Sequence, residues 1–428
     1  MNREKPIESE VSSFAGAARP GDARAIARAL QVLRAFLKLG FTSFGGPVAH
    51  IGYFREEFVV RRRWLDDAAF SDVLGLCQFL PGPASSQLGF SIGLMRAGCL
   101  GGLAAWTGFT LPSAIALTLL AYGADAALQG SSAVASVAAG SVHGLKLVAV
   151  AIVAQAVWGM ARTLCPDRRR AAIAIIAAVA VSARVSSLMQ VAVLLCGGLL
   201  GIWLCRAPTP ASTRAQAAPA SGLAGPVSPA VGTTSLAVFA LLLIGLPLLR
   251  GWHPAGLFEA FYRSGALVFG GGHVVLPLLR EAFVAPGWVS DDVFLAGYGA
   301  AQAVPGPLFT FACYLGAVAS PASHRVAGAL LGLVGIFLPG MLILLGTLPF
   351  WTQFRVQAHA QGFMQGVNAA VVGLLGAALY HPIWTSSIKT AADIGVALIG
   401  FALLTMWRAP PILIVTLGAA AGVVLTGP

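Results

Sequence analysis

Apolar runs interrupted by glycine and proline constrain this 428-residue chain more than any other feature. The first interruption is Ser43-Phe44-Gly45-Gly46-Pro47 within residues 31–50, and the second is Pro81-Gly82-Pro83 within residues 70–95. Glycine and proline break helices. In lipid, a broken backbone persists only where protein or a water-lined cavity surrounds it. The two breaks therefore predict a site at membrane depth.

Composition places the chain among polytopic membrane proteins. It is 57% hydrophobic and 10% charged, whereas a soluble domain carries about 25% charged residues. The net charge is +11, but the arginines lie mostly at the ends of apolar runs, which is the positive-inside pattern and argues against nucleic acid as a partner. The six cysteines form no C-x-x-C pair and the histidines no H-x-x-x-H pattern, so we expect no metal and no cofactor.

The second half of the chain repeats the first. Matching residues are 225 apart up to the charged loop and, after a one-residue gap, 224 apart. The matching pairs include Phe44 with Phe269, Arg55 with Arg280, Gln78 with Gln302, Pro81 with Pro305, Gly82 with Gly306 and Pro83 with Pro307. A register kept over forty residues indicates an internal duplication.

The duplication predicts five regions. Residues 1–30 form a cytoplasmic N-terminal tail, and residues 31–205 form the first transporter repeat. Residues 206–233 are rich in Pro, Ala, Ser and Thr, which is typical of a flexible linker. Residues 234–257 supply an inverting transmembrane helix and a connection, and residues 258–428 form the second repeat.

Charge in one loop indicates that the second repeat is inverted. The first copy of the loop carries Arg61-Arg62-Arg63, and the second copy at 285–288 has no basic residue. Lys and Arg gather in cytoplasmic loops, so the two copies would face opposite sides. A parallel duplication stays open as the alternative. The same rule favours re-entrant hairpins, in which residues 31–58 and 70–95 each enter and leave on one side. The predicted fold is thus all-α, with two inverted halves and broken helices.

The breaks also predict an anion site. Proline suits the first turn of a helix, so Pro47 and Pro83 mark helix N-termini, whose free N–H groups and positive dipole attract anions. A simple kink is the alternative for either motif alone. The predicted contacts at the breaks are Ser43, Gly45, Gly46, Pro47, Gln78, Pro81, Gly82, Pro83, Ser85, Ser86, Gly270, Gly271, Gly272, Gln302, Pro305, Gly306 and Pro307.

Three basic residues complete the predicted site. Arg55 and Arg280 recur in register beside Glu56 and Glu281, where a structural ion pair and an anion contact are equally good interpretations. Lys146 lies well inside its apolar run, and a buried cation in a membrane is costly unless it has a function. We therefore predict that Lys146 lines a cavity.

These motifs resemble the chromate ion transporter family in its long, two-domain form. The resemblance rests on the first break, the Arg55-Glu56 pair, Trp64 and Gln78-x-x-Pro81-Gly82-Pro83, together with their second-half counterparts. It implies efflux of chromate across a bacterial inner membrane, and hence chromate resistance, with sulfate as a close structural analogue. The chain departs from its own first-half pattern at Gly272, which stands where Pro47 stands in the first copy.

The residues by themselves predict an inverted-repeat anion transporter, and only the family resemblance identifies chromate as the anion. A carrier of sulfate or another anion is the first alternative. A membrane-embedded enzyme or a lipid-handling scaffold is the second, and in that case the breaks merely bend helices. Chromate and membrane lipids are the expected partners, and the sequence is compatible with a homo-oligomer.

Overall fold

The computed structural model describes residues 23–128, 132–183, 187–205, 227–249, 253–269, 272–354 and 357–426. These residues form helices joined by turns, and they contain no strand. Five of the described helices are long and apolar enough to cross a membrane: Ala84–Gly123, Ser136–Leu164, Pro229–Leu248, Ala322–Phe350 and Ala358–Ser387. The chain is an all-α polytopic membrane protein, as its composition predicts.

Helices of the first half are α1 (Ala23–Thr42), α2 (Gly46–Arg55), α3 (Asp67–Phe79), α4 (Ala84–Leu128), α5 (Ser132–Leu164), α6 (Arg168–Ala183) and α7 (Ser187–Leu204). A π-helical turn, Glu56–Arg61, extends α2. Those of the second half are α8 (Pro229–Gly245), α9 (His253–Ala266), α10 (Val275–Phe283), α11 (Asp291–Ala301), α12 (Phe311–Val318), α13 (Arg325–Thr347), α14 (Trp351–Phe354), α15 (Ala358–Ala378), α16 (Thr385–Ser387), α17 (Ala391–Thr405) and α18 (Pro411–Thr426).

The first four helices form two hairpins whose tips are the two breaks. α1 and α2 run antiparallel, since Phe36 on α1 stacks on Phe58 just beyond α2, with ring centroids 4.7 Å apart. α3 and the start of α4 form the second hairpin. At the end opposite the tip, the two arms of this hairpin meet, because the Arg96 guanidinium lies 5.2 Å from the ring centroid of Trp64. Both broken segments therefore form hairpins with their tips at the breaks, and their entry and exit on one side of the membrane stays a prediction.

α4 reverses direction within one apolar run. Its backbone is non-helical at Ala97 (φ −147°) and Gly98 (φ +65°). The two arms then pack antiparallel through Gly93 and Gly101, where the backbones approach so closely that neither position has room for a Cβ. Glycine is needed at both positions for this contact. Only the arm after Gly98 is therefore a full crossing.

The two halves are related by inversion. The second arm of α4 and its counterpart α13 cross antiparallel, because the first residue of α13, Arg325, lies 5.3 Å above the ring of Tyr122 near the end of α4. Midway along both helices, Trp106 and Phe337 have ring centroids 5.8 Å apart. Equivalent crossing helices that run antiparallel require a two-fold axis across them, in the membrane plane. The parallel alternative is wrong.

Candidate functional site

Four helical N-termini converge on the breaks. In the first half, α2 begins at Gly46 and α4 at Ala84, directly after the glycine and proline residues. In the second half, short 3₁₀ turns that lead into α10 and α12 begin at Gly272 and Leu308. The first N–H groups of a helix have no intrahelical acceptor and carry the positive end of its dipole. Both predicted first-half helix starts are therefore present.

The hairpin tips of the two halves bind each other through their backbones. The Gly82 N–H donates to the Val268 carbonyl at 2.7 Å, and the Gly306 N–H donates to the Ser43 carbonyl at 2.9 Å. Ser43 corresponds to Val268, and Gly82 to Gly306, so one contact is made twice about the two-fold axis. These two glycine N–H groups are occupied, and an anion would have to use other donors in this conformation.

Both glycines have a conformation and an environment that exclude side chains. Their φ angles are +120° at Gly82 and +105° at Gly306, a region that L-residues rarely adopt. A Cβ at Gly82 would lie 3.0 Å from the Gly340 Cα, and one at Gly306 would lie 2.9 Å from the Ser113 hydroxyl. Since Gly340 corresponds to Ser113, the two tips occupy equivalent sockets.

The packing of Pro47 against Gly272 explains why the second repeat has a glycine where the first repeat has a proline. They occupy equivalent positions, and they contact each other: a Cβ at Gly272 would lie 3.3 Å from the Pro47 Cγ. Equivalent residues can touch only where the two-fold axis passes between them. Two proline rings would meet at this point, and the chain instead has one proline ring packed against a glycine.

Two buried hydroxyl groups near the tips have no partner. Ser43 is 0% exposed and Ser86 is 3% exposed, and neither Oγ makes a hydrogen bond within the described part of the chain. A buried hydroxyl without a partner is costly. The neighbouring Ser85 Oγ lies 3.3 Å from the Nδ1 of His50, whose Nε2 lies 3.3 Å from the Ser43 carbonyl. The free hydroxyls are donors available to a ligand.

Gln87 joins the first-half break to the second half. Its amide donates to the carbonyls of Pro81 and Gly340, both at 2.9 Å. The sequence also points to Gln78 and Gln302. Gln78 is exposed, whereas the Gln302 Nε2 is buried without a hydrogen-bond partner among the described residues. The two glutamines therefore have different surroundings despite their matching positions.

Carboxylates are missing from the segments that build the tips. The sequence has no Asp or Glu at 73–124 or at 293–392. The helix N-termini therefore face no negative side chain from these stretches, and the positive potential of their N–H groups is not cancelled. Among the described residues, no group of three or more His, Cys, Asp or Glu could hold a metal ion. The arrangement suits a small anion.

Arg55 and Arg280 lie away from the tips. Each is ion-paired at 2.8 Å, Arg55 with Asp67 and Arg280 with Asp291. The two pairs are equivalent in the repeat, but the partners are not the adjacent glutamates. Arg55 is the last residue of α2, nine residues after Gly46, or about 14 Å along the helix. In this structure both arginines fix the open ends of their hairpins.

Lys146 is also ion-paired. Its ammonium lies 2.6 Å from the Asp292 carboxylate at the start of α11, and only 10% of its side chain is exposed. The equivalent residue in the second half is Asn368, whose Oδ1 is buried without a partner in the described chain. The pair thus joins a first-half crossing helix to a second-half hairpin, and the repeat does not reproduce it.

The other predicted contacts are backbone or proline positions of the tips. Gly45 (φ +98°) precedes α2, and the remaining prolines, Pro81, Pro83, Pro305 and Pro307, lie in the turns before the restarted helices. Gly270 and Gly271 lie outside the described residues. The structure thus brings Ser43, Pro47, Gly82, Gly272 and Gly306 together. It leaves Arg55, Arg280 and Lys146 in ion pairs elsewhere.

Comparisons with known proteins agree with these features. The chromate transporter family model matches residues 30–202 and 255–423. Chromate transport proteins of Pseudomonas aeruginosa and Cupriavidus metallidurans are 30% identical over 357 residues and 27% identical over 350 residues. The first alignment covers 81% of this chain and 79% of that protein, and the second covers 82% and 81%. An uncharacterised transporter of Methanocaldococcus jannaschii is 22% identical over 351 residues, covering 81% and 82%. No solved structure gives a significant match.

Proposed function

This chain belongs to the chromate transporter family, and we propose that it exports chromate from the cytoplasm across a bacterial inner membrane. Chromate is a tetrahedral dianion, which suits converging N–H groups and hydroxyls. The observation that carries the proposal is the meeting of four helical N-termini beside the unpartnered hydroxyls of Ser43 and Ser86. The expected consequence for the cell is chromate resistance.

The proposed site holds the anion mainly with neutral donors. The first-turn N–H groups of α2 and α4 and the hydroxyls of Ser43, Ser85 and Ser86 would surround its oxygens. A site without a fixed cation beside it would release a dianion more readily, which a carrier needs. The ion-paired Arg55, Arg280 and Lys146 would act on the approach to the site or on the shape of the hairpins.

The membrane potential supplies a driving force for export. A potential that is negative inside favours expulsion of anions by about 2.3 kcal/mol per charge for each 100 mV, or about 4.6 kcal/mol for a dianion. The chain carries no G-x-x-x-x-G-K-[ST] phosphate-binding loop, the motif with which many ATPases hold their nucleotide. We therefore propose secondary transport, with no ATP hydrolysis by this chain.

The orientation follows from one end of the bundle, here named the basic end. It carries Arg61–Arg63, Arg96, Arg162, Arg168–Arg170 and Arg408. Because loops rich in Lys and Arg stay in the cytoplasm, we assign the basic end to the cytoplasm. The first-half hairpins would then enter from the cytoplasm and the second-half hairpins from outside.

Inversion also suggests how the site changes sides. In inverted-repeat carriers, one repeat rocks against the other around a fixed central site. Here each half donates one glycine N–H to a carbonyl of the other half. These two hydrogen bonds at the axis can persist while the open ends of the hairpins move. The Lys146–Asp292 pair would close the outer end in this conformation, since it has no equivalent at the basic end.

Chromate flux into everted membrane vesicles tests the proposal. Vesicles that contain the protein should accumulate radiolabelled chromate on imposing an inside-positive potential, and vesicles without it should not. Sulfate has the same shape and charge, so it should compete. Accumulation of sulfate but no chromate would favour the sulfate carrier, and accumulation of neither anion would overturn the anion-carrier proposal.

A further inference from the structure

A cleft at the basic end lies far from the hairpin tips. It opens between the last turns of α5 and the end of α17, and its volume is about 570 Å³. Residues that line it include Gln155, Trp158, Gly159, Arg162, Leu404 and Arg408. We refer to it as the α5–α17 cleft. Neither the anion site nor the repeat symmetry accounts for it.

The α5–α17 cleft carries positive charge that no lining carboxylate neutralises. Two guanidinium groups, those of Arg162 and Arg408, line it, and no carboxylate does. The sequence has no Asp or Glu at 126–166 or after Asp393. The nearest acid beyond α5, Asp167, is engaged at 2.6 Å by Arg170. The cleft therefore attracts a negatively charged group.

The walls of the cleft have the character of a membrane interface. Trp158 is 56% exposed and its ring lies 5.9 Å from the Arg162 guanidinium. Met406 and Trp407, which precede Arg408, are 73% and 67% exposed. Tryptophan beside arginine at the end of an apolar helix is typical of the headgroup level of a bilayer.

The cleft also has depth along the membrane normal. Gln155 lies seven residues before Arg162 on α5, which places it about 10 Å deeper along the helix. Leu404 forms an apolar part of the wall, and Gly159 leaves open space, because a Cβ built there would meet no atom within 4 Å. A ligand with a charged head and an apolar stem fits this shape, whereas a free inorganic anion would use the arginine level alone.

We propose that the α5–α17 cleft binds the headgroup of an anionic phospholipid, with its phosphodiester between Arg162 and Arg408. The glycerol backbone reaches toward Gln155, and an acyl chain follows the exposed apolar face beside Trp158. Basic pockets between crossing helices at the cytoplasmic face are suited to such headgroups. The lipid would fasten α17 to α5 at the end where the two helices stop.

Purified full-length protein in a neutral detergent tests the site. Thermal unfolding and native mass spectrometry are followed with phosphatidylglycerol, phosphatidylcholine or inorganic phosphate added. Phosphatidylglycerol should raise the unfolding temperature and stay bound, and the other two should do neither. The double variant Arg162→Gln/Arg408→Gln should bind phosphatidylglycerol about tenfold more weakly or worse, because each arginine near the surface contributes to anionic lipid binding.

Two further variants separate the site from general effects. Gly159→Leu keeps both arginines and fills the open space, so it should block the lipid even if the double variant folds poorly. Lys389→Gln removes one charge outside the cleft and should bind phosphatidylglycerol as the unaltered protein does. Equal binding in Gly159→Leu and the unaltered protein would overturn the proposal. So would equal effects of phosphatidylcholine and phosphatidylglycerol, or a stabilisation that phosphate alone reproduces.

Discussion

The first-half hairpins and the second-half hairpins make the same backbone contacts at their tips, and their open ends share one arginine–aspartate pair but differ in their other charges. Gly82 and Gly306 donate to equivalent carbonyls in the opposite half. At the open ends, only the first half has the buried Glu57, which pairs with Arg62 at 2.7 Å and Arg61 at 3.3 Å; its counterpart is Ala282.

This difference indicates that the tips and the open ends of the hairpins have different roles. The backbone contacts between the tips keep the symmetry of the repeat, whereas the tip side chains differ, as at Ser43 and its counterpart Val268. The open ends face different compartments, and there the charges diverge. The Lys146–Asp292 pair, with Asn368 at the equivalent position, gives a second example. The backbone contacts at the tips are therefore symmetric, whereas the ion pairs of Glu57 and Lys146 are not repeated.

The largest effects should come from the tip glycines. Gly82→Ala and Gly306→Ala each impose a strained positive φ and a close contact, and each should destabilise the protein by about 2–4 kcal/mol and abolish flux. Thermal unfolding and chromate flux measure both effects. Gly272→Ala is the matched control, because Gly272 does not have a positive φ and its Cβ would lie 3.3 Å from the Pro47 Cγ, so this change should destabilise the protein less than either of the other two. If Gly82→Ala left stability and flux unchanged while Gly306→Ala lowered both, the two tips would not be equivalent.

Glu57 should give an intermediate, pH-dependent effect. It lies outside the crossing helices. Burial acts to raise its pKa, but hydrogen bonding and charge from Arg62, with the charges of Lys38 and Arg61, hold the pKa below the usual 4.5. A depressed pKa gives stability that is present above about pH 4.5 and lost as the pH falls through the folded-state pKa.

Glu57→Gln should therefore lower stability by about 1–3 kcal/mol at pH 7. The difference from the unaltered protein should shrink as the pH falls below 4.5. Thermal unfolding from pH 7 to pH 3 measures this. A difference that stays constant over the whole range would show that the charge of Glu57 does not stabilise the basic end.

The smallest of these effects should come from Lys146 and Asp292. The Asp292 side chain is 67% exposed, so the pair should contribute only about 1 kcal/mol of coupling in a double-mutant cycle of Lys146→Gln and Asp292→Asn. If the pair acts as an outer closure, the two single variants should change chromate flux alike, and the double variant should add nothing. A flux loss in Lys146→Gln alone would instead indicate that Lys146 contacts the anion.

Much of the fold was predictable because the sequence contains it twice. The duplicated breaks and the basic triplet at Arg61–Arg63 predict inverted halves, and the antiparallel crossing of α4 and α13 confirms them. The positions of Pro47 and Pro83 predict helices that begin at the breaks, because proline suits a first turn. These signals are local, so a single sequence carries them.

Contacts between distant segments were not predictable in the same way. Lys146 and Asp292 form an ion pair although they are 146 residues apart. Arg55 donates a hydrogen bond to Asp67 and not to the adjacent Glu56, because the chain after α2 folds back and places Asp67 beside Arg55. The pairing of Gly82 with Val268 likewise requires the tips to meet. The open space at Gly159 depends on how two helices end, which no sequence pattern encodes.

The central claim is that the anion binds where the hairpin tips meet, and Ser43→Ala with Ser86→Ala tests it most directly. Both hydroxyls lack partners, so removing them should leave the unfolding temperature unchanged or raise it. Chromate flux in everted vesicles should nevertheless fall about tenfold or more, because each hydroxyl would donate to a charged ligand. Ser235→Ala on α8 is the control and should leave flux unchanged. Normal flux in the Ser43→Ala/Ser86→Ala variant, at equal membrane abundance, would contradict the placement of the site.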